Sequence, residues 1–132
     1  MTDDLTTALA VQKFVSLATF KRNGDPVATP MWIGRDCDHL FVWTPADSSK
    51  VKRVSNNPRV TLQPSGLRGK PRKGAKPVDG IADVITDAET VERLAEVIHC
   101  KYGLMYRLVT FLEGLTSGGV KPRVILRIAL LP

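Results

Sequence analysis

The 132-residue sequence predicts a mainly β domain with flanking helices, whose six antiparallel strands form a small closed or half-open barrel. First, three β-rich segments between Phe14 and Thr44 are joined by tight turns, which is typical of an antiparallel meander. Second, the strands do not alternate with helices, as they would in a doubly wound fold. Third, an apolar content of 43% supports one core, so we expect a single domain over residues 1–132.

The N-terminal half supplies a short helix and three strands. Residues 3–12 have the acids and apolar spacing of a helix. The strand segments are FVSLATF, PVATPMWIG and HLFVWT, and the turns between them are KRNGDP and RDCD. The Asn-Gly pair in the first turn is a strong hairpin signal.

The segment TPADSSKVKRVSNNPRVTL crosses from the third strand to the fourth. Asp47 or Ser48 is a suitable N-cap, SSKVKRVSNN makes about two helical turns, and Asn57-Pro58 ends them. The strand RVTLQP follows, and then the glycine-rich, basic loop GLRGKPRKGAKP leads to the fifth strand, VDGIADVIT.

The longest helical run begins after Asp87. Val91, Leu94 and Ile98 recur at helical spacing, and Gly103 is expected to bend or divide the run. The loop TSGGVKP then precedes the last strand, RVILRIALL.

Composition restricts the partners and the location without choosing a function. A net charge of +6 favours an anionic partner, which can be nucleic acid, acidic lipid or a phosphorylated small molecule. Two cysteines cannot build a disulfide scaffold. The acidic N-terminus is unlike a signal peptide, and no segment approaches the ~18–20 apolar residues of a membrane helix, so we expect a cytoplasmic protein.

The common catalytic and metal motifs do not fit. GKPRKGAKP lacks the Lys-Ser/Thr pair of a phosphate-binding P-loop, and no G-x-G-x-x-G dinucleotide motif or nucleophilic triad is present. The spacing of Cys37, His39, His99 and Cys100 matches no familiar zinc site, so no metal is expected. The chemistry is therefore expected to reside in a bound cofactor.

The helix start after the third strand has the chemistry of an anion site. Its first amides are unpaired, and the hydroxyls of Ser48 and Ser49 can donate to phosphate oxygens. Lys50 and Arg53 add charge on one side, with Lys52 lying across. A solvated connecting helix explains the same residues, and local chemistry leaves both interpretations open.

Nucleic acid is the alternative outside small-molecule chemistry. The basic loop over residues 68–76 is suitable, since small barrels bind single strands. That mode needs aromatic platforms interleaved with basic residues, but the strand neighbours of Trp32 and Trp43 are chiefly apolar, as in a core.

The order of segments resembles the pyridoxamine-phosphate-oxidase-like split-barrel family, in its actinobacterial branch that uses the deazaflavin coenzyme F420. The similarity is carried by FVSLATFKRNGDPVATPMWIG, LFVWTPADSSKVKRVSNNPRVTL, LRGKP, GIADV and KYGLMYRL. It extends from Phe14 to the last strand and implies an FMN-binding type of split β-barrel.

The resemblance also implies a cofactor site. Lys50 matches the family's phosphate-binding lysine, and residues 27–32 match the strand beneath the cofactor ring. The second strand lacks the Arg and Lys of FMN-binding relatives, which favours F420 and leaves FMN as the alternative. The implied cofactor-binding residues are Ala28, Thr29, Pro30, Trp32, Thr44, Ser48, Ser49, Lys50, Lys52, Arg53 and Arg68.

The implied function is hydride transfer between reduced F420 and a small unsaturated or conjugated substrate, in a homodimer with the cofactor between subunits. The alternatives are an FMN-dependent oxidase or reductase of the same fold and a non-catalytic F420 carrier. The basic loop is expected to attract the glutamate tail of F420. Tyr102 and Tyr106 are expected either to reach the pocket or to pack between helices.

Overall fold

The computed structural model describes residues 2–115 and 122–131, which form one antiparallel sheet with four helices around it. The strands are β1 (Phe14–Phe20), β2 (Pro26–Met31), β3 (Gly34–Asp36), β4 (His39–Pro45), β5 (Arg59–Ser65), β6 (Val78–Ile85) and β7 (Arg123–Leu130). The helices are α1 (Thr2–Ala10), α2 (Ser49–Asn56), α3 (Ala88–Tyr102) and α4 (Leu104–Gly114). The loop predicted over TSGGVKP lies, except for Pro122, outside the described residues. No helix in the described ranges is long and apolar enough to cross a membrane.

The strand order forces the sheet to curl. The order is β2-β1-β5-β6-β7-β4-β3, so β2 and β3 lie at opposite edges. Only Trp32 and Ile33 separate these two strands in the chain. Because this link reaches at most about 11 Å between the Cα atoms of Met31 and Gly34, the edges must approach each other. The result is a barrel that is not closed.

The prediction of six strands is wrong, because the sheet has seven. The three segments predicted as a meander do not all pair in sequence order, since β4 pairs with β3 and β7 instead of β2. The segment RDCD was expected to be a turn, but Arg35 and Asp36 belong to β3. Both charged side chains have partners on helices: Arg35 donates to Thr7 Oγ1 at 2.8 Å, and Asp36 pairs with Arg93 at 3.1 Å. The turn is confined to the two residues after Asp36, and Cys37 adopts a φ of 55°.

Two apolar clusters divide the core. The inward positions of the strands fill the barrel, and Leu9 of α1 and Val54 of α2 join them. On the outside, α3 packs Leu94 and Ile98 against Phe41 of β4 and Ile125 of β7. Each such fully buried aliphatic side chain stabilises the fold by about 1.5–3 kcal/mol.

The barrel is open between β2 and the second half of β4. β3 pairs with β4 only at His39–Phe41, so β3 does not cover the edge of β4 over residues 42–45. The opposite border is β2, whose described pairing is with β1 alone. Pro26 and Pro30 suit this edge position because proline lacks a backbone donor. We call the gap between these two edges the split.

The end of α3 holds the link that closes the sheet. The Tyr102 hydroxyl accepts from Ile33 N at 2.9 Å and donates to Lys13 O at 2.7 Å. The Lys101 ammonium donates to three carbonyl oxygens: Ala10 at 2.8 Å, Gln12 at 2.7 Å and Ile33 at 2.6 Å. Burial lowers the pKa of Lys101 to about 8 and raises the pKa of Tyr102 to about 12. We call Lys101 and Tyr102 the α3 clamp.

Replacement of Gly34 by alanine is expected to destabilise the barrel. A Cβ on Gly34 would lie 2.5 Å from Cζ of Phe41, whose ring is fully buried. Such overpacking costs about 1–3 kcal/mol of unfolding free energy, measured by urea denaturation. Gly66→Ala is the control because its Cβ would meet nothing within 4 Å. Equal stability of the two variants would contradict this packing.

Tyr102→Phe should reduce stability by about 1–2 kcal/mol at pH 8, because it removes the hydrogen bonds of the Tyr102 hydroxyl to the backbone of Ile33 and Lys13. The difference from the wild type should shrink between pH 10 and 12. In that window the unfolded chain has released the Tyr102 proton and the folded chain retains it, so rising pH favours unfolding of the wild type only. Urea denaturation at a series of pH values measures the difference. A difference that stays constant up to pH 12 would contradict the raised pKa.

Candidate functional site

The start of α2 has no side-chain cap. Ser48 is the N-cap residue with extended backbone angles of φ −71° and ψ 151°, but its hydroxyl makes no capping hydrogen bond. That hydroxyl instead lies 3.4 Å from Oγ1 of Thr44, which is fully buried. The first turn of α2 contains no acid. No side chain of the first turn therefore caps or neutralises the positive end of this helix.

Basic side chains surround this helix start in ordered positions. Arg53 donates from Nε to Oγ1 of Thr19 at 2.7 Å, and Thr19 is buried. This contact fixes the guanidinium against the end of β1. Lys50 is half-buried, and burial together with the neighbouring Arg53 charge lowers the pKa of its ammonium group. A bound anion would raise this pKa, because its negative charge stabilises the protonated ammonium group.

A cavity of about 460 Å³ lies between α2 and the β1–β2 turn. We call it the anion pocket, because four of its lining residues are cationic and none is acidic. Its lining residues are Phe20, Lys21, Arg22, Ser49, Lys52, Arg53, Ser55 and Asn56. Three of these residues are among the predicted site residues: Ser49, Lys52 and Arg53. Lys21, Arg22 and Asn56 were not predicted. The Lys-Arg pair directly before Asn-Gly was the available signal, and it was interpreted only as a turn.

A second cavity, of about 350 Å³, occupies the split. We call it the aromatic cleft. Its lining residues are Phe14, Pro30, Met31, Trp32, Trp43, Pro45, Leu67, Met105, Val109 and Arg123. Walls that are chiefly apolar and aromatic are typical of a site for a planar organic ring.

Each tryptophan of the aromatic cleft packs against a tyrosine ring. Trp32 stacks on Tyr102 with ring centroids 4.5 Å apart and planes 13° from parallel. Trp43 packs against Tyr106 at 5.2 Å and carries the guanidinium of Arg123 over its ring at 4.3 Å. Arg123 is itself paired with Glu113 at 2.6 Å, and both of these side chains are largely buried. The cation at the cleft is therefore neutralised internally.

The residues predicted on β2 fall on two faces. Pro30 and Trp32 line the aromatic cleft. Thr29 lies opposite Leu17 on the inward side of the barrel and is half-buried, whereas Ala28 lies opposite Ala18 and is exposed. Of the predicted residues on this side, Pro30 and Trp32 are therefore placed to touch a ring in the cleft.

The remaining predicted residues differ in their access to a ligand. Thr44 is fully buried, so it supports Ser48 rather than lining an open cavity. Lys50 lines neither described cavity, and its half-buried position lies on the same helix between Ser49 and Lys52. Arg68 is exposed in the basic loop. This loop reaches β2, since a Cβ on Gly69 would lie 3.3 Å from Pro30 Cδ, and Leu67 lines the cleft.

A short stretch of chain connects the aromatic cleft to the start of α2. Pro45 lines the cleft, and Ser48, which caps α2, follows three residues later. An elongated ligand with a planar ring and an anionic group would thus find both of its sites on contiguous chain. The residues present fit a flavin-type cofactor by this chemistry. Within the described residues no group of three or more His, Cys, Asp or Glu side chains is placed to hold a metal ion.

Comparison with known proteins identifies the family. No curated protein matches this chain. A conserved hypothetical protein of Mycobacterium tuberculosis has a similar structure, with a TM-score of 0.71, 19% identity and coverage of 98% of this chain and 79% of that one. An F420 reductase matches with a TM-score of 0.65, 20% identity and coverage of 95% and 92%. A FAD-binding protein of Mesorhizobium loti matches with a TM-score of 0.66, 21% identity and coverage of 98% and 88%.

At these identities the structural matches show a shared fold alone. The family model described as pyridoxamine 5'-phosphate oxidase matches residues 1–131, which is nearly the whole chain. The split barrel, with its cleft between β2 and β4, agrees with that match. The chain belongs to the pyridoxamine 5'-phosphate oxidase family.

Proposed function

We propose that this protein binds coenzyme F420 and transfers hydride between the reduced deazaflavin and a small unsaturated or conjugated organic substrate. The observation that carries the proposal is the short chain separation between Pro45 of the aromatic cleft and Ser48, which caps the acid-free helix α2. F420 combines a planar ring with a phosphodiester and a tail of glutamates. Its shape and charge match this arrangement.

The proposed binding mode divides the ligand between the aromatic cleft, which holds its ring, and α2, which holds its phosphodiester. Lys50, Lys52 and Arg53, with the hydroxyls of Ser48 and Ser49, hold the phosphodiester at α2. Pro30 and Trp32 form one wall for the ring, and Trp43 forms the other. The exposed cations of the basic loop, Arg68 among them, attract the glutamate tail over a Debye length of about 8 Å at physiological ionic strength.

The chain's part in the reaction is to bind the coenzyme, orient its ring and exclude water. When bound, reduced F420 would supply the hydride, and the reduced deazaflavin reacts poorly with oxygen. Tyr102 does not serve as a proton donor in this proposal, because its hydroxyl is committed to Lys13 O and Ile33 N and its pKa is raised to about 12. Tyr106 packs against Trp43 and His99. The proton then comes from solvent or from a side chain other than Tyr102.

An FMN- or other flavin-dependent oxidase or reductase is the second candidate function. It is favoured by the FAD-binding protein that shares this fold. The same cleft and cations would accept a flavin ring and its phosphate. Against FMN, β2 contributes no cation, since its residues are PVATPM. Arg35, the first basic residue after β2, is engaged with Thr7 and Cys37.

A second copy of the chain is the proposed partner, with the cofactor at the subunit interface. The outward side of α4 is apolar: Leu104 is 82% exposed and Phe111 is 64% exposed. Its less exposed side holds Tyr106, Thr110 and Glu113. This helix therefore has polar groups on the side that faces the protein and apolar side chains on the side that faces solvent. Such apolar patches mark interaction surfaces. Met105 and Val109 of α4 also line the aromatic cleft, so a copy seated there would shield the cofactor from water.

Titration of the purified protein with F420, FMN, haem and an oligonucleotide tests the proposed function, read by fluorescence quenching and spectral shift. The proposal expects F420 to bind and to be consumed with a conjugated acceptor. Binding without turnover on any acceptor would instead make the protein a carrier. Preferential FMN binding with oxygen consumption would support the second candidate, and an oligonucleotide shift with steep salt dependence would contradict both.

Lys50→Glu should weaken F420 binding by about 10- to 100-fold, because one charge-assisted hydrogen bond is replaced by repulsion. Isothermal titration at fixed salt measures the dissociation constant. Lys13→Glu is the control, since it makes the same change in net charge at an exposed residue that lines neither cavity. Equal affinity of the two variants would exclude α2 as the phosphodiester site.

The same titration separates the role of the basic loop. Reversal of charge at Arg72 and Lys73 should lower F420 affinity at low salt, and this loss should disappear at high salt because exposed charges are screened. A loss that persists in high salt would show direct contact, and no loss at low salt would remove the loop from the site.

Phe111→Glu should shift the protein from dimer to monomer, raising the dimer dissociation constant at least about 10-fold by placing a charge on the apolar side of α4. Analytical ultracentrifugation at micromolar concentrations measures the shift. Val11→Glu is the matched control, because Val11 is an exposed apolar residue outside α4. A dimer that survives Phe111→Glu, or a monomeric wild type, would contradict the proposed interface.

A further inference from the structure

The α3 clamp holds the link between β2 and β3, and the proposed function gives its two residues no role. The two consecutive residues at the end of α3 hold both backbone groups of one residue: Tyr102 accepts from the Ile33 amide at 2.9 Å, and Lys101 donates to the Ile33 carbonyl at 2.6 Å. Ile33 is fully buried and follows Trp32 directly. Burial of Ile33 requires only that its side chain be packed. The two hydrogen bonds also fix the backbone of Ile33, and with it the position of the neighbouring Trp32.

The clamp also holds the Trp32 ring itself. Tyr102 stacks on Trp32 at 4.5 Å with planes 13° from parallel, so the residue that fixes the link also fixes the wall of the cleft. Aromatic pairs of this kind contribute about 0.5–1.5 kcal/mol beyond the area they bury. Trp32 is thereby held in one orientation relative to Trp43 across the split.

The clamp is anchored on the chain between the end of α1 and the start of β1. Lys101 donates to the carbonyl oxygens of Ala10 and Gln12 at the end of α1, and Tyr102 donates to the carbonyl of Lys13 just before β1. Movement of Trp32 would therefore require several polar contacts at the α1 end to break together. Because protein interiors are close-packed, Trp32 is held in one position and does not adjust to the shape of a ligand.

We infer that Lys101 and Tyr102 are positioning residues that set the separation of Trp32 from Trp43 and thereby select a planar fused aromatic ring as the occupant of the cleft. This inference rests on the proposed function, since it refines the ring half of that site. The clamp acts on the ring alone. The anion pocket lies on α2 and shares no lining residue with the aromatic cleft.

The test compares a ring without phosphate with phosphate without a ring. The probes are 5-deazariboflavin and inorganic phosphate, and the variants are Tyr102→Phe and Lys101→Met. Both variants are expected to weaken 5-deazariboflavin binding by about 3- to 10-fold, to shift the absorption band of the bound ring, and to leave phosphate affinity unchanged. Equal weakening of both probes would indicate a general structural defect and overturn the inference, as would unchanged ring binding.

A second readout needs no ligand. In a Trp43→Phe background, Trp32 is the single tryptophan, and its quenching by acrylamide should increase when Tyr102 becomes Phe. Val97→Ala, at a half-buried position of the same helix, is the stability-matched control, expected to leave quenching unchanged. Unchanged quenching in the Tyr102 variant would overturn the inference even if 5-deazariboflavin fails to bind. Failure of the wild type to bind 5-deazariboflavin would count against the proposed function instead.

Discussion

The structure depends on the two-residue link that joins opposite edges of one sheet. Because Trp32 and Ile33 alone separate β2 from β3, the seven strands must curl until those edges meet. β3 is too short to cover β4 fully, so the curled sheet stays open along one seam. The aromatic cleft is this seam. A longer link would relax the curl, and a longer β3 would fill the opening with a strand.

The polar half of the site follows from the same geometry. β4 ends at Pro45 beside the opening, and the chain turns at once into α2. The amide end of that helix is therefore delivered to the edge of the cleft. The fold also brings the β1–β2 turn against α2, which adds Lys21 and Arg22 to the cations of the helix itself. Thr19, buried at the end of β1, holds Arg53 in this arrangement.

Much of the fold could be predicted from local patterns. Alternating apolar residues and an Asn-Gly turn located β1, whose bounds the structure reproduces, and Gly103 marked the division between α3 and α4. β3 was missed because a short charged segment resembles a turn unless the partners of its charges are known. Those partners, Thr7 and Arg93, lie far away in the chain.

The site shows the same limit. The position of the α2 start could be predicted because helix capping depends on adjacent residues. Lys21 and Arg22 were missed because their relation to α2 arises only when the barrel forms. The role of Lys101 was equally invisible, since a lysine near a helix end is normally solvated, and here it binds carbonyls of Ala10, Gln12 and Ile33.

The most direct measurement is a crystal structure of the protein with F420. We expect the phosphodiester to lie against α2, within hydrogen-bonding distance of Lys50 or Arg53, and the deazaflavin ring to lie between Trp32 and Trp43. A coenzyme bound away from the split, or one whose phosphodiester makes no contact with α2, would contradict this expectation.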